Sequence, residues 1–232
     1  MPDGSAEIFA SVQGEGVSAG TPSVFVRVAE CNLSCEWCDT KYTWDWDHYD
    51  RAAQVLDQSV DEVLARILAL AGSSIRNVVL TGGEPLLHQA DLAALGTHLK
   101  QGGFRIEIET NGAIESTPDL ETVVDQWNVS PKLATSGNKT SARLRVGPLT
   151  RFAALPTATF KFVVCGQRDL DEIDSIAQGY GIARDRIIAM PEATDPQTLA
   201  DRSRWLVPLC QERGFRFGSR LHVALWGSDR GR

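Results

Sequence analysis

The sequence predicts an α/β protein with a mostly parallel sheet, either a partial barrel or an open sheet. Three observations predict it. Short apolar runs of strand length alternate with amphipathic helical patterns, which implies parallel strands joined by right-handed crossovers. Six such strands and a terminal one are too few to close an eight-stranded barrel. No repeat, low-complexity tract or linker divides the chain, so residues 1–232 read as a single domain.

The elements follow in order. Ser23–Ala29 is a strand. Ser59–Ala71 is a helix, with Ser59 as N-cap, Glu62 completing a capping box, and Val63, Leu64, Ile67 and Leu68 on one face. Ile75–Leu80 is a strand, and Gln89–Lys100 is a helix stopped by Gly102-Gly103. Phe104–Glu109, Val123–Val129 and Thr157–Val164 are strands. Asp169–Gly179 is a helix with Asp169 and Glu172 at cap spacing. Arg186–Met190 is a strand. Asp195-Pro196 opens a helix to about Arg213, Gly214 ends it, and Phe215–Leu225 reads as a last strand.

Composition narrows the function. Hydrophobic residues at 43% and charged residues at 23% fit a packed globular chain rather than a disordered one. A net charge of −7 argues against coating nucleic acid, which needs clustered positive charge. No apolar run approaches the ~18 residues of a membrane span. Residues 1–7 lack the basic-then-apolar order of a secretory signal. Of five cysteines, three fall within residues 31–38, a pattern suited to metal binding in a reducing cytoplasm.

In such folds ligands gather at the C-terminal ends of the strands. Here those ends run into the cysteine loop, Thr81-Gly82-Gly83-Glu84-Pro85, Glu109-Thr110-Asn111-Gly112, Ser130-Pro131-Lys132 and Met190-Pro191-Glu192. The cysteine spacing is C-x3-C-x2-C, through Cys31, Cys35 and Cys38. Thiolates bind zinc or iron–sulfur clusters. A structural zinc needs a fourth ligand, from His48, Asp39 or a distant residue. Three thiolates without an obvious fourth suit a [4Fe-4S] cluster with one open iron.

This triad, with Trp37 before its third cysteine and Gly82-Gly83-Glu84-Pro85 after the next strand, resembles the radical S-adenosylmethionine superfamily. Within it, Ser11–Gly16 (SVQGEG), Phe25-Val26-Arg27, Cys38-Asp39-Thr40, the Lys161 strand and Leu221–Gly227 are similar to the 7-carboxy-7-deazaguanine synthases, over nearly the whole chain. The resemblance implies a partial (βα)6 TIM-like barrel of the radical S-adenosylmethionine type with an additional C-terminal strand. Residues 1–22 would form a substrate-binding extension, and residues 30–50 the cluster loop.

It also implies the reaction: 6-carboxy-5,6,7,8-tetrahydropterin becomes 7-carboxy-7-deazaguanine with loss of ammonia, through a 5′-deoxyadenosyl radical and with Mg2+. By this resemblance Cys31, Cys35 and Cys38 hold the cluster, and Thr40 binds Mg2+. Trp37, Asp39, Gly83, Ser130, Lys132, Met190, Pro191 and Glu192 contact S-adenosylmethionine. Val12, Gln13, Gly14, Glu15, Arg27 and Thr81 contact the pterin. The residue types suit these tasks. An amide and a carboxylate read a pterin edge, and Arg forks onto a carboxylate. Arg27 lies inside an apolar strand, where an unpaired charge is costly. A homodimer is a further expectation of the resemblance alone, and a free pterin substrate needs neither nucleic acid nor membrane; a flavodoxin-type reductant is expected because, being acidic, it would suit the positive segment 126–168.

Other features leave alternatives open. Residues 126–168 carry seven Lys or Arg and no acid, which makes either an anion-attracting segment or a solvated face. Glu109 and Asn111 either touch the cofactor or shape a turn. Tyr42, Trp44, Trp46 and Tyr49 either cover the cluster or form an interface, and His48 reads as a surface residue. Arg220 and His222 either reach the site or cap the final strand. Cys165 and Cys210 read as buried small hydrophobes.

Overall fold

A computed structural model describes residues 5–231. The ends of the expected domain, residues 1–4 and 232, lie outside the described residues, as does the first part of the segment read for a signal. One eight-stranded sheet runs through the molecule in sequence order. Its strands are β1 (Ile8–Val12), β2 (Pro22–Val28), β3 (Asn77–Gly82), β4 (Arg105–Thr110), β5 (Gln126–Val129), β6 (Ala158–Val164), β7 (Ile187–Pro191) and β8 (Arg216–Phe217). β1 pairs antiparallel with β2, and every later neighbour is parallel. The helices are α1 (Arg51–Gln54), α2 (Val60–Ala71), α3 (Gln89–Gln101), α4 (Pro118–Val123), α5 (Thr140–Arg143), α6 (Val146–Ala154), α7 (Asp169–Tyr180), α8 (Pro196–Arg213) and α9 (Leu221–Trp226). None of them is long and apolar enough to cross a membrane.

Strand alternation sorts the chemistry. Val24, Val26, Val78, Leu80, Ile106, Ile108, Phe160 and Phe162 belong to the apolar core, together with helix residues such as Ile67, Leu95 and Ile173. The intervening positions Phe25, Arg27, Thr81, Glu109, Lys161 and Val163 line a cavity on the other face. One face of the sheet therefore holds the fold by burying apolar surface, and the other is free to carry polar groups.

The capping box at α2 forms as the spacing predicts: Ser59 accepts from the Glu62 N–H, and the Glu62 carboxylate accepts from the Ser59 N–H. Three expectations need correction. β1 lies inside residues 1–22, read only as a substrate-binding extension with no strand of its own; its Phe9 stacks on Phe25 across the strand pair at 5.2 Å. Asp169 is not the cap of α7, because its carboxylate turns back to the N–H groups of Cys165 and Gly166, while Glu172 pairs with Arg143. The terminal strand is only β8, two residues long, and Leu221–Trp226 is helical. A short apolar run fits a helix or a strand equally by pattern; here the N–H of Leu221 bonds to Gly14 O at 2.9 Å and the chain turns into α9. Cys165 is half-buried and Cys210 is buried, and all five cysteines are free.

Candidate active site

The cavity encloses about 260 Å3, and the ends of β2 to β7 contribute to its wall. Cys31, Cys35 and Cys38 line it together with Trp37, Asp39, Thr40 and Trp44 from the same loop. So do Val12, Gln13, Gly14, Glu15, Arg27, Thr81, Gly83, Ser130, Lys132 and Met190. Pro191 and Glu192 do not. Glu192 sits behind, its N–H bonding Val164 O at 2.9 Å and its carboxylate pairing with Arg202 of α8.

Two glycines let the cysteine loop approach β3. Gly82 has φ +139°, and a Cβ there would lie 2.1 Å from Val28 O. A Cβ on Gly83 would lie 2.0 Å from Glu30 O. Backbone bonds from Gly83 N to Val28 O (2.9 Å) and from Glu84 N to Glu30 O (2.7 Å) occupy that space. The Glu84 carboxylate is fully buried and accepts from Thr110 Oγ1, Leu86 N and Asn111 N, tying the end of β3 to the end of β4. Burial pushes its pKa up. Asn111 shapes its turn by accepting from Ala113 N, and its Nδ2 reaches Asn32 Oδ1 in the cysteine loop at 2.7 Å.

The thiols sit among N–H donors. Asn138 Nδ2 donates to Cys35 Sγ at 3.3 Å, and Trp44 Nε1 donates to Cys38 Sγ at 3.4 Å. Burial pushes the Cys31 thiol up to about 12 and raises Cys35 as well. Lys132 lies 5.7 Å over the Trp37 ring and donates to Ser130 Oγ. The residues fit a cluster better than a single ion. Among the described residues no three or more His, Cys, Asp or Glu side chains could hold one metal ion. Three thiols on the wall of one cavity, two of them accepting from side-chain N–H groups, suit a cluster. The indole N–H of Trp37 is buried without an acceptor among the described residues, as expected where a ligand completes the wall.

The same cavity holds a charged network that reaches the cysteine loop at Asp39. Lys161 Nζ bridges Glu15 Oε2 (2.5 Å) and Glu109 Oε2 (2.7 Å). Arg220 donates from Nε to Glu15 Oε1 (2.9 Å), from Nη2 to Asp39 Oδ2 (2.5 Å), and from Nη1 to Ala193 O. Gln13 Nε2 reaches Glu109 Oε1 at 3.2 Å, and Asn128 Nδ2 reaches the same oxygen at 3.1 Å. Burial works against ionisation of Glu15, but the charges of Lys161 and Arg220 outweigh it and hold its carboxyl well below the usual range. Burial also opposes the charge on Lys161, which Glu109 and Glu15 hold above its usual range. Glu109 itself is pushed up by burial. His222 is 3.9 Å from Glu15, and burial lowers its pKa, keeping the imidazole neutral near pH 7. It packs so closely on Gly14 that a Cβ there would lie 2.2 Å from its Nδ1.

Arg27 donates from Nε to Glu7 Oε1 at 2.8 Å. Of the open alternatives, Arg220, His222 and Glu109 reach the site, as does Trp44, while His48 is a surface residue paired with Asp45. Lys132 and Lys161 line the cavity, but Arg143 and Arg151 pair with Glu172 and Glu121 elsewhere. Glu7, Asn128 and Asn138 carried no sequence signal beyond being polar. Lys161 carried one, as a lone charge inside the apolar run Phe160–Val164.

Residues 12–126 match the family described as "4Fe-4S single cluster domain". The chain is 41% identical over 228 residues to the 7-carboxy-7-deazaguanine synthase of Pyrobaculum aerophilum, covering 97% of this chain and 96% of that one. It belongs to the 7-carboxy-7-deazaguanine synthase family. The synthase of Halobacterium salinarum is 36% identical over 242 residues, covering 95% of this chain and 89% of that one. The synthase of Escherichia coli K12 is 30% identical over 232 residues, covering 94% and 96%. The crystal structure of QueE from Escherichia coli superposes with a TM-score of 0.68 at 29% identity, covering 94% of this chain and 93% of that one. This family therefore brings its enzyme chemistry to a partly open barrel, with the thiols and the charged network lining one cavity.

Proposed function

We propose that this chain is a radical S-adenosylmethionine enzyme that converts 6-carboxy-5,6,7,8-tetrahydropterin to 7-carboxy-7-deazaguanine with loss of ammonia, in queuosine and related 7-deazapurine biosynthesis. The observation that carries this reading is one cavity joining the three thiols to a carboxylate–amide reader and a separate guanidinium. When bound, the cluster and S-adenosylmethionine supply the one-electron chemistry that removes a substrate hydrogen.

The chain's own residues bind, orient and enclose. Cys31, Cys35 and Cys38 would hold the [4Fe-4S] cluster, with one iron left open for S-adenosylmethionine. Gly83, Trp37, Asp39, Ser130, Lys132 and Met190 face that cofactor, and Pro191 and Glu192 fix the strand end behind Met190. Gln13 and Glu15 read the N–H donors of the pterin edge, aided by Val12, Gly14 and Thr81. Glu15 is well suited to accept, because Lys161 and Arg220 keep it ionised. Arg27 takes the substrate carboxylate. The cavity is thus acceptor-rich at the Glu15–Glu109 end and cationic at Arg27, which orients a ligand with N–H groups at one end and a carboxylate at the other.

Thr40 would give Mg2+ its one protein oxygen, the rest coming from water and substrate. Its hydroxyl lies 3.6 Å from Cys38 Sγ, so the metal would sit between the cluster loop and the substrate. A cytoplasmic homodimer reduced by a flavodoxin-type protein completes the reading.

Anaerobic turnover tests it. Cluster-reconstituted protein, dithionite, S-adenosylmethionine, Mg2+ and the carboxylated tetrahydropterin should yield 7-carboxy-7-deazaguanine by mass spectrometry. Cleavage of S-adenosylmethionine without that product would overturn the substrate, and absence of an iron–sulfur cluster would overturn the whole reading.

A further inference from the structure

We propose that Arg230, near the C-terminus, sets the preference for a carboxylated pterin by drawing the charge of Glu7 away from Arg27. This rests on the substrate proposed above.

The Glu7 side chain is only 5% exposed, and its carboxylate is shared. Oε1 accepts from Arg27 Nε (2.8 Å) and from the Tyr42 hydroxyl (3.1 Å), and Oε2 accepts from Arg230 Nε at 2.7 Å. Arg230 is itself held, with its guanidinium carbon 3.8 Å over the Tyr42 ring and Nη1 bonded to Gln54 Oε1 at 3.0 Å. Tyr42 stays neutral, since burial pushes its pKa up to about 12. Among the described residues no hydrogen bond engages Nη1 or Nη2 of Arg27, a residue that lines the cavity.

Two consequences follow from charge and geometry. One carboxylate between two guanidiniums leaves a net positive charge, and of these two residues only Arg27 lines the active-site cavity; it also lines a second cavity walled by Glu7, Tyr42 and Arg230. Without Arg230, Glu7 and Arg27 would form a neutral pair, and an incoming carboxylate would compete with Glu7 for the same guanidinium. The other anion near Arg27, Asp39, is already bound by Arg220. With Nε occupied, only the Nη1/Nη2 fork remains, so the substrate carboxylate is taken end-on. Arg230 touches no part of the active-site cavity wall and is a positioning residue.

Equilibrium dialysis under anaerobic conditions, with the reconstituted full chain, would test this on 6-carboxy-5,6,7,8-tetrahydropterin and on tetrahydropterin without the carboxylate. Arg230→Gln should weaken binding of the carboxylated ligand about tenfold and leave the other unchanged, with KM rising in step and kcat little altered. Arg230→Lys should restore the preference. The double variant Glu7→Gln/Arg230→Gln should regain much of it, because Arg27 then has no competitor. An unchanged ratio in Arg230→Gln, equal losses for both ligands, or a double variant no better than the single would each overturn the proposal. A wild-type enzyme indifferent to the carboxylate would instead overturn the substrate reading itself.

Discussion

Lys161 Nζ lies 2.7 Å from Glu109 Oε2, joining β6 to β4 over the intervening β5. The same ammonium holds Glu15, so one cation compensates two buried carboxylates. Lys161→Met should therefore be costly, by about 3–5 kcal/mol, the range for stripping one partner from a buried ion pair. The pH dependence gives a sharper signature. In the native protein Glu15 titrates below its ordinary value of 4.5, so its contribution to stability is full above that pH and is lost as pH falls through the folded value. In Lys161→Met, Glu109, already pushed up by burial, loses its cation and titrates higher still, while Arg220 keeps Glu15 paired, so stability should rise more steeply than in the native protein as pH is lowered from 7 toward 5. Thermal melts across that range check it; parallel profiles for the two proteins would contradict the assignment.

A clash at the entrance to the cysteine loop makes a second prediction. Gly83→Ala places a methyl group 2.0 Å from Glu30 O, against backbone that cannot rotate away. The residue after Glu30 is Cys31. Moving that backbone should displace the first thiol while the helices stay folded. The expected result is a protein with native circular dichroism and less than half the wild-type iron after reconstitution. Full iron loading would show that the strand yields instead of the loop.

The two side-chain donors to sulfur should tune the bound cluster. N–H bonds to ligating thiolates stabilise the more reduced, more negative state and so raise the reduction potential. Asn138→Ala and Trp44→Phe each remove one such donor. Each variant should show a lower cluster potential in an anaerobic EPR-monitored titration, and the pair together a larger drop. Asn138 also accepts from Ser34 N at 3.0 Å, so its loss should additionally loosen the loop.

The cysteine spacing, the two glycines after β3 and the cap at Ser59 were legible because each acts within a few residues of itself. The charged network was not. Arg220 meets Glu15 across 205 positions, and Arg230 meets Glu7 across 223. Such partners are set by the antiparallel addition of β1 and by the turn of α9 onto Gly14, the two elements the pattern misread. Strand β1 is five residues long, and α9 is one and a half turns of residues that suit either element. A lone Lys in one apolar strand and a lone Arg in another, Lys161 in β6 and Arg27 in β2, signal that something pairs with them; they cannot say what.

Thr40 supplies the last prediction. It lines the cavity next to Cys38, and among the described residues no three His, Cys, Asp or Glu side chains are placed to hold a metal ion together. Mg2+ keeps much of its water and makes do with one or two protein oxygens, so a single hydroxyl suffices only if the substrate carboxylate supplies another ligand. Metal and substrate should then bind with positive coupling. Thr40→Ala should weaken Mg2+ stimulation of turnover about tenfold, a loss near 1.4 kcal/mol, and should leave iron content unchanged. In the wild type, raising Mg2+ should lower the Kd of the carboxylated pterin and not that of the pterin lacking its carboxylate. If Mg2+ still stimulates Thr40→Ala to the wild-type extent, the ion is held elsewhere in the cavity, and the coupling to the carboxylate must be reassigned with it.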